Sequence, residues 1–107
     1  MNSEQLVELV RGLVSVDARK REMVADVVCD WVGSCSRADG TVLAGVLSAS
    51  ASCESDPAAL EAQLHALLEL GAGGLTDLES IAHLREIDRG KMTESLIEYV
   101  DDLLEEL

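Results

Sequence analysis

The stretch DPAALEAQLHALLELGAGG, from Asp56 to Gly74, shows most clearly how this chain folds. Asp56 suits the N-cap of a helix, where its carboxylate accepts backbone N–H groups, and Pro57 suits the first helical position, which needs no N–H donor. The leucines that follow recur every three to four residues, the spacing of one buried helix face. They are Leu60, Leu64, Leu67 and Leu68. The glycines from Gly71 onward end the pattern, so we predict a helix over residues 57–70.

The same helical period runs through the rest of the sequence, which contains no strand-like alternation of useful length. Start signals occur at Ser3 and Asp17 as N-caps, and Thr76 with Glu79 forms a capping-box pattern. Together they predict an all-α fold of about six helices. The expected bounds are Ser3–Val14, Ala18–Val32, Thr41–Ala51, Pro57–Leu70, Thr76–Arg85 and Thr93–Glu106, with a loop over Gly33–Gly40.

Length and composition indicate one domain, residues 1–107, with an aliphatic core. Hydrophobic residues make up 48% of the chain but aromatic residues only 2%, with one Trp, one Tyr and no Phe. Periodicity predicts which side chains of the second and third helices face inward. In the second helix these are Met23, Val24, Val27, Val28 and Trp31, and in the third they are Val42, Leu43, Val46 and Leu47.

The six predicted helices group into three pairs, each a helix, a short turn and a longer helix. The pairs are Leu6–Val32, Val42–Leu70 and Leu78–Leu104. Each turn carries an aspartate, Asp17, Asp56 or Asp88, and these aspartates are 39 and 32 residues apart. An internal period of this size is typical of a solenoid of antiparallel helical hairpins. A compact helical bundle is the alternative arrangement.

The stretch SVDARKRE, residues 15–22, followed by Ala25 and Val28, resembles the turn and second helix of a HEAT repeat. In that pattern an aspartate caps the second helix and an arginine follows four residues later, the positions of Asp17 and Arg21. The second unit has Leu60 in place of the arginine, and the third keeps only its aspartate and closing helix. The resemblance implies a HEAT-like helical repeat.

The net charge of −13 is concentrated in the second half of the chain. Residues 1–50 carry seven acids and five bases, whereas residues 51–107 carry fourteen acids and three bases. Direct nucleic-acid binding needs a basic protein surface that neutralises phosphates, and binding to an anionic membrane needs one as well. The negative charge therefore disfavours both. The charge instead favours encounter with a basic protein partner. Acidity that only keeps the protein soluble is the alternative.

The chain carries no motif that predicts catalysis, a cofactor or a metal site. Cys29, Cys35 and Cys53 form no CxxC pair, and neither His65 nor His83 belongs to an HExxH motif. We therefore expect a non-enzymatic protein without cofactors. Three thiols without a disulfide framework, and the absence of an N-terminal signal, predict a cytoplasmic location. The uncharged stretch Gly40–Cys53 is too short to span a bilayer, so no membrane association is expected.

The last predicted helix carries an acidic stripe opposite its apolar face. At 100° per residue the stripe spans an arc of about 100°. It consists of Glu94, Glu98, Asp101, Asp102 and Glu105. Acids near a helix C-terminus oppose its dipole, so helix stability alone does not explain them. We interpret the stripe as a docking ridge with Tyr99 as an anchor, because tyrosine is enriched at interface hot spots. An ordinary solvated face is the alternative.

A second acidic row lies on the second predicted helix, where Glu22, Asp26 and Asp30 recur at i, i+4 spacing. We expect this row to contribute to partner binding as well, ranked second behind the acidic stripe of the last helix. In length, charge and helical pattern the chain also resembles small acidic immunity and antitoxin proteins of bacteria. That similarity implies an inhibitor that covers the substrate site of a basic toxin or nuclease. The alternative is a structural or scaffold HEAT-like domain whose acidity is incidental.

Overall fold

The computed structural model describes residues 1–75, 82–87 and 89–105, and in this part of the chain all regular secondary structure is helical. The all-α prediction is confirmed. The described residues form five α-helices, and short 3₁₀ turns cover Val32–Ser34, Ala82–Glu86 and Arg89–Lys91. The helices are α1 (Ser3–Leu13), α2 (Ala18–Trp31), α3 (Arg37–Cys53), α4 (Pro57–Ala72) and α5 (Glu94–Glu105).

Side-chain caps set where the first, second and fourth helices begin. The carboxylate of Asp17 accepts the N–H of Arg19 at 3.0 Å, and that of Asp56 accepts the N–H of Ala59 at 2.9 Å, so both predicted caps are confirmed. The predicted cap of α1 is wrong by one residue, because Asn2 and not Ser3 precedes the helix. Asn2 and Gln5 exchange two backbone-to-side-chain hydrogen bonds of 2.9 Å in a capping box.

The third helix begins four residues before its predicted start at Thr41, so the predicted loop over Gly33–Gly40 is wrong in its second half. Ser36 and Asp39 form a capping box in which each side chain accepts the other's backbone N–H at 3.1 Å. Gly40 lies inside this helix, where a residue without a side chain is needed because Leu75 packs against it. A Cβ at Gly40 would lie 2.7 Å from the Cβ of Leu75.

The fourth helix is the centre of the fold and packs against α2, α3 and α5. Its buried residues therefore extend well beyond one stripe. They are Ala59, Leu60, Ala62, Gln63, Leu64, Ala66, Leu67 and Leu70. The helices α1 and α2 form one hairpin and α3 and α4 a second, while α5 packs on α4. The Cα radius of gyration of 12.4 Å is that of a compact chain of this length.

The core is aliphatic, as predicted: every buried hydrophobic residue of the described chain is Leu, Ala, Val or Ile. Trp31 is only partly buried at its edge. Two side chains predicted to face inward are exposed, Met23 at 59% and Val42 at 44%. For α2 the reason is that its buried face centres on Ala25 and Val28. Met23 lies about 140–160° from those two residues at 100° per residue, on the opposite side of the helix.

The predicted fifth helix, Thr76–Arg85, lies mostly outside the described residues. Positions 76–81 are not described, and Ala82–Glu86 forms a 3₁₀ turn where an α-helix was expected over residues 82–85. Asp88, the third aspartate of the predicted repeat, is likewise outside the described residues. The closing helix begins at Glu94, one residue after its predicted start, and is described as far as Glu105; residue 106, its predicted end, lies outside the described residues.

Candidate functional site

The acidic ridge of α5 is formed as the sequence predicts. Its apolar side buries Leu96, Val100 and Leu103 against the core. On the opposite side all five acids of the stripe are exposed, namely Glu94, Glu98, Asp101, Asp102 and Glu105. Thr93 caps the first turn, where its hydroxyl oxygen accepts the N–H of Leu96 at 3.3 Å. Burial of the opposite face thus places the five acids at the surface.

One acid of the ridge already has a partner within the chain. Nη2 of Arg89 donates to Oδ1 of Asp101 at 2.7 Å, and both side chains are about half exposed. Arg89 therefore neutralises part of the charge at the middle of the ridge. Glu98 and Asp102 flank this ion pair and are exposed.

The acidic row of α2 and the tyrosine of α5 meet at one groove, which the sequence did not predict. The groove has a volume of about 390 Å³ and lies across three helices. Glu22 and Asp26 come from α2, and Tyr99 comes from α5. The residues of α4 that line it are Ala58, Glu61, Ala62 and His65. We call these seven residues the acidic groove.

The fourth helix positions two polar groups of the acidic groove on its exposed side. Glu61 and His65 are one turn apart, and Nε2 of His65 lies 3.5 Å from Oε1 of Glu69 one turn further on. The side chain of His65 is exposed. Glu61 was missed because α4 was interpreted only through its leucines. The i, i+4 series Glu61, His65 and Glu69 is the sequence signal that could have identified it.

The acidic groove and the α5 ridge are neighbours through Tyr99. At 100° per residue Asp102 lies about 60° around α5 from Tyr99, and Glu98 about 100° away on the same side. The phenol ring, which is partly buried, therefore separates the acids of the ridge from those of the groove. Asp30, the third acid of the α2 row, is exposed but does not line the groove. The surface can attract a cation and pack an aliphatic or planar group against the ring.

A second polar cluster, buried between the two hairpins, is built around Glu54. Its side chain is 2% exposed and accepts Nε and Nη2 of Arg21 at 2.7 and 2.8 Å. Nε2 of Gln63 donates at 2.8 Å, and the backbone N–H groups of Ser55 and Asp56 donate at 3.1 Å. The remaining terminal nitrogen of Arg21, Nη1, donates to the carbonyl oxygen of Ser15 at 2.7 Å.

This cluster fixes the protonation state of Glu54 and joins the two hairpin turns. Burial alone would raise the pKa of Glu54, but the hydrogen bonds from Arg21, the Asp56 backbone and Gln63 outweigh it and lower that pKa below its usual range. Arg21 is the arginine of the HEAT-like pattern. It ties the α1–α2 turn, through Ser15, to the α3–α4 turn, through Glu54.

The three cysteines form no disulfide bond, and two of them lie in surroundings that disfavour the thiolate. Burial raises the pKa of Cys29, and nearby carboxylates raise it further. Burial also raises the pKa of Cys35. Cys53 is exposed, and its thiol donates to the carbonyl oxygen of Ala49 at 3.3 Å. Among residues 1–75, 82–87 and 89–105 no group of three or more His, Cys, Asp or Glu side chains is arranged to hold a metal ion.

Comparison with known proteins found no relative of this chain. No protein-family model matches the chain, and neither a curated protein nor a solved structure matches it. In the described part of the chain, no helix combines the length and the apolar character needed to cross a bilayer.

Proposed function

We propose that this chain is a non-enzymatic protein-binding module that holds a basic partner on the acidic groove and the adjoining α5 ridge. The observation that carries the proposal is the meeting of Glu22, Asp26 and Glu61 with Tyr99 at one concavity. Three carboxylates from two helices create a negative field that attracts cations, and a partly exposed tyrosine gives a bound segment an apolar surface to pack on.

The most concrete form of this function is inhibition of a basic toxin or nuclease by occlusion. Such enzymes need basic residues around their active sites in order to hold phosphates. The acids of the groove and of the α5 ridge would form ion pairs with those basic residues and so keep the substrate from binding them. A standard interface covers about 800 Å² per partner, so the groove would hold a few side chains and the ridge would supply the remaining area.

A HEAT-like stacking of the hairpins is part of the same proposal. It is supported by Asp17, which caps α2, and by Arg21, which reaches from the first hairpin to Glu54 at the turn of the second. The alternative function is that of a structural or scaffold HEAT-like domain, with contacts made elsewhere on the surface and incidental acidity. Binding through such contacts would be insensitive to salt, whereas binding through the acidic groove would weaken steeply as salt rises.

A pair of variants that differ only in the position of the lost charge tests the proposal. The binding partner is first captured at low salt and identified, and its association rate is then measured at several salt concentrations. Glu61→Gln removes one charge from the groove, and Glu86→Gln removes one exposed charge on a different element. We expect Glu61→Gln to slow association and flatten its salt dependence, while Glu86→Gln has little effect. Equal effects of the two variants would refute the groove as the binding site.

A further inference from the structure

The two aromatic residues of the chain both lie outside the fully buried core, and each lines a groove. Tyr99 belongs to the acidic groove described above. Trp31 lines a separate groove of about 490 Å³ between α1 and α2. Its other lining residues are Asn2, Glu4, Gln5, Glu8 and Leu9. We call these six residues the tryptophan groove.

The walls of the tryptophan groove are fixed by local interactions. Asn2 and Gln5 are locked together by the capping box of α1, and the N-terminal amine of Met1 donates to the carbonyl oxygen of Ser34 at 3.2 Å. Leu9 is 8% exposed and anchors the middle of α1 to the core. The indole of Trp31 therefore borders a groove whose opposite wall is already ordered before any partner arrives.

Charge identifies the chemistry that suits this groove. Two carboxylates flank the indole, those of Glu4 and Glu8. Glu8 is already paired, since its Oε1 lies 3.2 Å from Nη1 of Arg11. Glu4, in the first turn of α1, is exposed. An aliphatic occupant would suit Trp31 and Leu9 alone, but only a cation also complements the carboxylate. A guanidinium group satisfies both requirements, because it stacks on aromatic faces and pairs with carboxylates.

We propose that the tryptophan groove binds an arginine side chain of a protein partner, stacked on the indole of Trp31 with Glu4 as its counter-charge. This site is distinct from the acidic groove. Glu22 and Trp31 lie on opposite sides of α2, about 180° apart around the helix and about 14 Å apart along its axis. A partner that engages both grooves would bind two basic side chains on either side of α2.

The single tryptophan of the chain makes the test specific to this groove. The intact protein is titrated with a short capped peptide of alternating glycine and arginine, and the fluorescence of Trp31 is followed. We expect a saturable change in emission. The same peptide with citrulline in place of arginine, which keeps the shape but removes the charge, should give no change.

Substitutions then test the assigned residues. We expect Glu4→Gln to raise the dissociation constant obtained from fluorescence about twofold to fivefold, which corresponds to a cation paired at an exposed aromatic site. Glu86→Gln, which removes one exposed charge elsewhere, should leave the constant unchanged. Trp31→Leu should weaken binding of a dye-labelled peptide followed by anisotropy, and Trp31→Phe, which keeps an aromatic ring, should restore part of it. Far-UV circular dichroism confirms that each variant is folded.

Two results would overturn the inference. One is an emission that stays constant at peptide concentrations where anisotropy reports binding, since the peptide would then be held elsewhere. The other is an unchanged affinity in Trp31→Leu. Neither result bears on the acidic groove, whose own test compares Glu61→Gln with Glu86→Gln.

Discussion

Replacing Glu54 tests whether the buried cluster between the hairpins stabilises the fold. The variant Glu54→Ala removes a carboxylate that is 2% exposed and accepts five hydrogen bonds. It leaves Arg21 without its charge partner and Nε2 of Gln63 without an acceptor in a fully buried residue. Loss of one partner of a buried ion pair costs about 3–5 kcal/mol. Arg21 is 19% exposed and can regain some water, so we expect about 3 kcal/mol.

Chemical denaturation measures this cost directly. The free energy of unfolding is obtained from urea titrations followed by circular dichroism, with Trp31 emission as a second probe of two-state behaviour. Arg21→Ala and the double variant complete a double-mutant cycle. Because the double variant no longer leaves an unpaired buried charge, it should cost at least 1 kcal/mol less than the sum of the two single variants. Additive effects, or a loss below about 1 kcal/mol in Glu54→Ala, would refute the assigned role.

The carboxylate of Glu54 also determines the sign of the pH dependence of stability. The pKa of Glu54 is lowered in the folded protein, because the hydrogen bonds from Arg21, the Asp56 backbone and Gln63 outweigh burial. The unfolded chain therefore binds the proton more tightly than the folded chain. The contribution of the carboxylate to stability is complete above the unfolded pKa of about 4.3 and is lost as the pH falls through the lower, folded pKa. The stability difference between the wild-type chain and Glu54→Gln should shrink over that acidic range and stay constant above it.

Three further predictions concern the packing of α1 and α3 and the charge of the ridge. Gly12→Ala should destabilise the protein by about 1–3 kcal/mol in urea denaturation, because the new Cβ would lie 2.4 Å from Cγ2 of Val24. Gly45→Ala, inside α3 with nothing within 4 Å, should instead stabilise it by about 0.5–1 kcal/mol, and a loss there would contradict the packing. Arg89→Gln should free Asp101 and accelerate association with a basic partner, as measured by stopped-flow mixing at low salt. An unchanged or slower rate would exclude this part of the ridge from the encounter.

The features best predicted from the sequence were those that depend on only a few neighbouring residues, such as helix caps. The caps at Asp17 and Asp56 depend only on the residue and the first turn after it, and both were identified correctly. The start of α3 was missed although its capping box, Ser36 and Asp39, has the same local character. Gly40 lies four residues after Ser36 and is the last residue of the predicted loop, since glycine is unfavourable inside a helix. Its presence is explained only by Leu75, a contact that no local pattern contains.

Side-chain orientation was less predictable where a helix has more than one neighbour. α2 packs against both α1 and α4, and its most deeply buried residues are Ala25 and Val28. The periodicity gave most weight to large residues, so the predicted inward-facing set correctly included Val28 but also included Met23 and left out Ala25. The small residue Ala25 lies at the contact instead, because close approach of helices requires small side chains there.

The acidic groove also depends on tertiary packing, because its residues come from three helices. How its acids are arranged helps to decide whether the acidity of the chain is incidental. A face that only keeps a protein soluble requires dispersed, exposed charges, and the α5 stripe taken alone would satisfy that description. Glu22, Asp26 and Glu61 are different, since two separate helices bring them to one concavity beside Tyr99. Like charges gathered in this way repel one another and contribute nothing to solubility that a dispersed arrangement would not. The proposed binding of a basic partner would use this convergence, and we predict that Glu61→Gln stabilises the free protein, because it removes one of the like charges, while it weakens the complex.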